Sequence, residues 1–380
     1  MLELSRRFDS KNTSPDSRVS GEALDQALAE LDPDVRRALE TAIENVRAVA
    51  EADLGSDLSI TLPQGQQVTL QQIPVARTGA YVPGGGAAYP STVIMCCVPA
   101  KVAGVPAVAV ATPPAADGRP NPLVLAACAL CGVDEVYAIG GVQAIAAFAF
   151  GTETVRRVDV IVGPGNDYVQ EAKRQVTGLV GIDGIEGPSE LVVIADAQAD
   201  AHLAALDLAA QAEHGRGTLL VLLSDSETLL TQVEPALAEL GSEYETLAET
   251  SVSLVSVPSL DAALGLANAL APEHLEIAAA NAQELAEGVR TSGCVFVGRN
   301  GGAAFGDYAA GSNHVLPTAG AARFAGPLGV ATFRRRQALV SLPDGAARAL
   351  APHVSSLARA EGFPVHAASA EARDSDRGKP

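Results

Sequence analysis

No run of about 18 uncharged apolar residues occurs anywhere in the chain, so no segment is suited to cross a bilayer as a helix. The first ten residues, MLELSRRFDS, lack the apolar centre of a signal peptide, and a soluble cytoplasmic protein is the resulting expectation. Cysteine is scarce: Cys96, Cys97, Cys128, Cys131 and Cys294 are too few and oddly numbered for a disulfide framework, which fits a reducing compartment. Basic residues are also in short supply. With 26 Lys and Arg against 45 Asp and Glu, the formal charge is -19, and the field of the whole molecule repels phosphate polymers and anionic lipid. Nucleic acid and membrane surfaces are therefore not expected partners. Only six histidines are present, which makes the position of each informative.

What is there suffices for sizeable cores. The 380 residues are 48% hydrophobic and 19% charged, far from the composition of disordered chains, and at about 150 residues per domain they form two to three domains. In 21–53, Leu24, Leu28, Leu31, Val35 and Leu39 recur at three- and four-residue steps, which predicts a helical N-terminal segment over 1–53. Two alternating runs in 58–76 predict a hairpin turning at Pro63 and Gly65. Short β-rich runs at 106–112, 134–140 and 158–163 then alternate with helical ones, the signature of a parallel sheet covered on both faces. A second such series, at 191–196, 218–224, 253–259 and 293–298, follows the Gly/Pro-rich break at 181–189.

The expected fold is thus α/β: two Rossmann-like parallel-sheet domains, one inserted in the other, with a helical N-terminal segment and a C-terminal helical arm. The expected division puts 54–80 and 190–330 in one α/β domain, 81–189 in the inserted one, and 331–380 in the arm and tail, the last dozen residues frayed. The glycine-rich stretch 298–314 reads as a long functional loop.

Gln211 and His214 lie three apart at the end of a helix, with Gly215 as its C-cap, and can offer an oxygen and a nitrogen to one ion. A lone histidine there more often serves only the helix dipole. Glu273 and His274, after Ala-Pro and before the apolar LEIAA, place an acid beside a base at the start of a strand or a tight turn. Alone, such a pair is ordinarily a surface feature. Asp307 and His314 fall in the glycine-rich stretch, and Glu361 and His366 follow the C-terminal helix. Histidine, aspartate and a side-chain amide together suit zinc or a similar ion, if the fold gathers them. Glycine turns after Tyr81, at Gly140-Gly141 and from Gly163 to Asn166 suit a ligand at strand ends, although none is a dinucleotide fingerprint. Cys128 and Cys131 have C-x-x-C spacing but lie in an apolar helical run, where core packing is favoured.

Together these segments resemble the histidinol dehydrogenase family from about residue 70 to 368. The carriers are Tyr81-Val-Pro-Gly-Gly, Gly141-Val-Gln143-Ala-Ile-Ala-Ala, Val162-Gly-Pro-Gly-Asn166, Gly187-Pro-Ser189-Glu, Gln211-Ala-Glu-His214-Gly, Ala271-Pro-Glu273-His274-Leu-Glu, Gly306-Asp307-Tyr, Gly311-Ser-Asn-His314-Val-Leu-Pro and Ala360-Glu361-Gly-Phe-Pro-Val-His366. The resemblance implies an NAD-dependent, zinc-dependent oxidation of L-histidinol through the aldehyde to L-histidine. It implies zinc at Gln211, His214, Asp307 and His366, the last from the partner subunit of a homodimer, so that the metal ligands also hold substrate. Substrate contacts at Ser189, His314 and Glu361, cofactor contacts at Tyr81, Gln143 and Asn166, and an acid/base pair at Glu273 and His274 are implied as well. Ile185-Glu186 departs from the family's small, neutral pair and puts an extra carboxylate near the substrate. A related zinc- and NAD-dependent enzyme acting on another polar alcohol, such as a sulfonated diol, is the nearest alternative, and a two-domain binding protein without chemistry is a more distant one.

Overall fold

The computed structural model of the chain describes residues 2–374 apart from Pro15, Gly85, Gly86, Arg216 and Glu249. The two glycines after Gly84 in the Tyr81 turn, and the end of the tail from 375, therefore lie outside the described residues. The chain divides into two compact units, residues 1–53 with 75–333, and residues 54–74 with 334–380.

The smaller unit is built on the hairpin. Strands β1 (Leu58–Thr61) and β2 (Gln67–Pro74) pair antiparallel, as their alternation predicts. The larger unit holds two five-stranded parallel sheets. The first contains β3 (Arg77–Tyr81), β4 (Ala107–Thr112), β5 (Glu135–Ala138), β6 (Val160–Val162) and β7 (Gly181–Ile182). The second contains β8 (Glu190–Ala195), β9 (Leu219–Ser224), β10 (Val252–Ser256), β11 (His274–Ala278) and β12 (Cys294–Val297). Strand β13 (Arg334–Ser341) then returns to the smaller unit and pairs antiparallel along the whole of β2.

Both parallel sheets run in the same order. Reading across, the first is β5-β4-β3-β6-β7 and the second β10-β9-β8-β11-β12, so in each the third strand leads to the first and the fourth continues on its other side. That order reverses direction beside β3 and β8, and in open α/β sheets ligands bind at such a point outside the carboxyl ends of the strands. Both sheets have the apolar strands of a sheet covered on two faces: Leu191, Val192, Val193, Ile194 and Ala195 are all buried.

Four expectations need correction. The hairpin pairs with β13 in the smaller unit rather than joining the sheet over 190–330, because β2 offers a free edge that Arg334–Ser341 covers. The arm accordingly begins with a strand; its helix Asp344–Ala360 follows as expected. The glycine-rich stretch contains a short helix, Ala303–Tyr308, started after Gly302. The tail is helical over Pro364–Asp374, tied by Glu371 to Ser355 and Arg359 of the preceding helix. The N-terminal segment is helical as expected, but broken between Gly21–Ala29 and Pro33–Ala52, where Asp32 caps and Pro33 opens the second helix.

The first sheet depends on one close approach. The ring of Phe148, 1% exposed, lies flat against β3 because Gly79 has no side chain there; a Cβ would stand 2.6 Å from the ring. Phe148→Ala should cost about 3–5 kcal/mol by removing that ring and leaving a cavity, checked by chemical denaturation. The cysteines of the C-x-x-C pair are both buried, and burial pushes the Cys131 thiol up to about 12, in keeping with core packing. Among the described residues, no helix is long and apolar enough to cross a membrane.

Candidate active site

A cavity of about 380 Å³ in the larger unit collects most of the chemistry. Its walls come from the C-terminal edge of the first sheet, where Pro164, Gly165 and Asn166 follow β6, and from the N-terminal edge of the second, where Ser189 precedes β8 and Glu273 and His274 open β11. His214, Asp307 and His314 complete it. A smaller cavity of about 180 Å³ at the other end of the second sheet is lined by the half-buried Asp207 and the buried Glu276 but no imidazole. Of these two cavities, acid and base meet in the larger one.

His274 sits at the start of β11 because Leu275 and Ile277 are drawn into the apolar layer and β11 pairs in register with β8 and β12. The ring is 2% exposed and stacks on Phe296, centroids 6.0 Å apart. Nδ1 lies 3.3 Å from the Glu190 carbonyl oxygen, a contact that calls for a proton on Nδ1. Nε2 is buried, forms no hydrogen bond and lies 3.4 Å from Asp307 Oδ1. Burial works against a charge on this ring, but the Asp307 and Glu273 carboxylates outweigh it and lift the imidazole to about 10. Asp307 is half-buried, and its partial desolvation opposes its charge, yet His274, His314 and His214 beside it hold its carboxyl below the usual range.

Glu273 is fixed by a reciprocal brace that the sequence did not disclose. Its Oε2 accepts from Ser189 Oγ and, at 2.9 Å, from Glu190 N–H, while Glu190 Oε2 accepts from Glu273 N–H at 3.1 Å. Glu190 was visible only as a member of a motif; its partner lies 83 residues away, and only the pairing of β8 with β11 brings the two together. Thr92 was likewise missed: its hydroxyl is 3.3 Å from His314 Nε2, and His314 Nδ1 is 2.8 Å from the Asp307 carbonyl oxygen. Burial lowers the proton affinity of His314, which favours a neutral imidazole.

The expected metal ligands divide between the two units. Gln211, His214 and Asp307 belong to the larger one. Gln211 lies in the last turn of the helix Ala201–Ala212, whereas His214 falls just beyond its cap, so the two do not share a continuous helical face. Gln211 Nε2 reaches Ser189 Oγ and lies 3.5 Å from His274 Nδ1, and His214 Nε2 stands 4.0 Å from Asp307 Oδ2. An imidazole, a carboxylate and an amide oxygen suit zinc, and the unpartnered His274 Nε2 beside Asp307 marks a polar site short of a partner. No three His, Cys, Asp or Glu side chains converge as a metal site among the described residues. Glu361 caps the helix Asp344–Ala360 and His366 lies in the helix Pro364–Asp374, both in the smaller unit and both exposed.

The expected cofactor residues line the C-terminal edge of the first sheet. Tyr81 ends β3, and its hydroxyl accepts from Gly141 N–H at 3.1 Å. Gln143 is buried in the first turn of the helix Gly141–Phe150 and donates to Asp9 at 3.4 Å, a residue the sequence did not single out. Asn166 caps the helix Asp167–Val176 through Val169 N–H and is exposed toward the cavity. Of the three, Asn166 lines the cavity, and Tyr81 and Gln143 lie farther along the same edge.

Two parallel sheets of one strand order, with a carboxylate and an imidazole at strand starts facing glycine turns, define a two-sheet α/β enzyme equipped for proton transfer. Known proteins make the class specific. The family model described as histidinol dehydrogenase matches residues 1–374. Histidinol dehydrogenase of Thermobifida fusca (strain YX) is 44% identical over 98% of this chain and 87% of its own, and that of Caulobacter vibrioides is 42% identical over 98% and 88%. The crystal structure of histidinol dehydrogenase from Elizabethkingia anophelis superposes with a TM-score of 0.94 at 31% identity, covering 98% of this chain and 87% of that one. The chain belongs to the histidinol dehydrogenase family, and is accordingly an oxidoreductase.

Proposed function

We infer that the protein oxidises L-histidinol to L-histidine in two successive hydride transfers to NAD, with zinc holding the substrate. The observation that carries this reading is the state of His274: its Nδ1 faces a carbonyl oxygen, its Nε2 is buried and unpartnered at the cavity, and Glu273 stands next to it. When bound, the metal would supply a fixed point for the amine and imidazole of the substrate, and the nicotinamide a hydride acceptor. Gln211, His214 and Asp307 would hold the zinc. The fourth ligand, His366, and the substrate contact Glu361 would come from the partner subunit of a homodimer.

The residues of the chain then divide the proton work. His274 takes the hydroxyl proton at Nε2 while Glu190 keeps the ring oriented through Nδ1. Base chemistry needs a neutral ring, and a ring held by two carboxylates is protonated at neutral pH. With Asp307 engaged as a metal ligand, its carboxylate would no longer secure the proton on Nε2, and the ring would be free to act as a base. In the second oxidation Glu273 takes a proton from the water that adds to the aldehyde carbon. Ser189 and His314 line the same cavity and would bind the substrate, so that the aldehyde is consumed where it forms. Tyr81, Gln143 and Asn166 would face the cofactor. A soluble, cytoplasmic enzyme is the matching setting.

The test is L-histidinol-dependent NADH formation by purified protein, with a sulfonated diol as the competing substrate. Turnover of the diol and none of histidinol would move the reading to the alternative. His214→Ala should lower zinc per chain to well below that of the parent by elemental analysis, and activity with it; unchanged zinc would remove His214 from the ligand set.

A further inference from the structure

The cavity is bordered by two loops that belong to different stretches of the chain. One is the turn from Gly163 to Asn166 after β6; the other runs from Asp183 to Ser189 between β7 and β8. Two side chains one turn apart on the helix Asp167–Val176 each reach both loops. Lys173 Nζ donates to the Gly163 carbonyl oxygen at 3.1 Å, and to the carboxylates of Asp183 and Glu186 at 2.6 and 2.9 Å. Gln170 donates through Nε2 to the Gly165 carbonyl oxygen at 3.4 Å and accepts through Oε1 from Glu186 N–H at 3.0 Å. Asp183 closes the ring by accepting from Gly163 N–H at 2.6 Å, so both backbone groups of Gly163 are tied to one ion pair.

The arrangement is costly enough to call for a role. Lys173 is 0% exposed, and taking an ammonium out of water costs several kcal/mol unless it is paired. Its three donors meet three acceptors, so the pairing is complete. Burial opposes the charge, but Asp183 and Glu186 outweigh it and hold the lysine above its ordinary range. The helix does not need this lysine to pack, since Val169, Ala172 and Val176 already supply its apolar face. The held turn has no slack either: Gly163 has φ +108°, and a Cβ there would overlap the Tyr81 carbonyl oxygen.

We propose that Gln170 and Lys173 are positioning residues that lock the turn bearing Asn166 to the loop bearing Ser189, and so set the spacing between the cofactor and substrate sides of the cavity. Glu186, which lines the cavity and uses both its carboxylate and its backbone N–H in the lock, is the link on the substrate side. This rests on the reading of the cavity as a dehydrogenase site with NAD on one side and histidinol on the other.

The test compares Gln170→Ala, Glu186→Gln and Lys173→Met with the parent. Three quantities are measured: the NADH dissociation constant by nucleotide fluorescence without histidinol, the KM for histidinol, and the melting temperature. Lys173→Met leaves two buried carboxylates unpaired and can fail to fold; the other two variants keep the Lys173–Asp183 pair and carry the decision. Gln170→Ala and Glu186→Gln should weaken NADH binding and raise the KM for histidinol together, each on the order of tenfold. Both values within twofold of the parent, with only the melting temperature lowered, would show contacts that merely stabilise the fold. A change on one side alone would overturn the lock between the two loops. If the parent binds NADH but does not turn over histidinol, the functional reading fails, while the NADH constants still report whether these residues fix the cofactor-side turn.

Discussion

His274→Asn should lower kcat by about 10²–10⁴-fold while moving the KM for histidinol by only a few-fold. Asparagine keeps a polar group at the start of β11 and can still donate toward the Glu190 carbonyl, so the fold and the cavity survive. It cannot accept a proton at the position of Nε2. The loss therefore falls on the transition state, where the hydroxyl proton leaves, and little on the ground state. Steady-state kinetics with both substrates at saturation separate the two; equal losses in kcat and in affinity would mean that the ring holds the substrate instead.

Glu273→Gln should spare the first oxidation and slow the second by about 10²-fold or more. The amide oxygen can still accept from Ser189 Oγ and Glu190 N–H, and the Glu273 backbone N–H still donates to Glu190, so the brace holds. What is lost is the ability to take a proton from water. In a single-turnover experiment the first NADH should appear at close to the parental rate and the second should lag. Equal slowing of both phases would place Glu273 in substrate binding or in support of His274, whose Nδ1 it approaches at 3.5 Å.

Much of this site was legible because its residues sit where sequence patterns change. Glu273 and His274 stand between a helix that ends at Leu270 and the apolar run of β11, and a dipeptide at that boundary is presented at a strand start. The parallel strands were legible for the same reason: short β-branched runs separated by helical ones admit few arrangements. Strand β13 was not, because Arg334-Arg335-Arg336 with a largely exposed pattern gives no alternation to read, and its pairing with β2 spans 260 or more residues of sequence. Lys173 was hidden for a related reason. In a stretch reading Glu-Ala-Lys-Arg-Gln it is indistinguishable from the solvated face of a helix, and only the position of Asp183 and Glu186 draws it inside. The brace of Glu190 on Glu273 is legible in neither segment alone.

The placement of Glu361 and His366 follows another logic. Both lie in the smaller unit, on exposed positions near the C-terminal helices, where nothing local marks them as ligands. The proposed assignment of both to a partner's site makes oligomeric state and zinc content linked observables. If it holds, dissociation of the proposed dimer on dilution should lower metal content, and activity with it.

A four-electron oxidation in one pocket is tested most directly by the amount of NADH formed per L-histidinol consumed, with histidine and histidinal quantified in the same reaction. Two NADH and one histidine should form for each histidinol, with no free histidinal. One NADH with histidinal accumulating, or no NADH with zinc present, would contradict it.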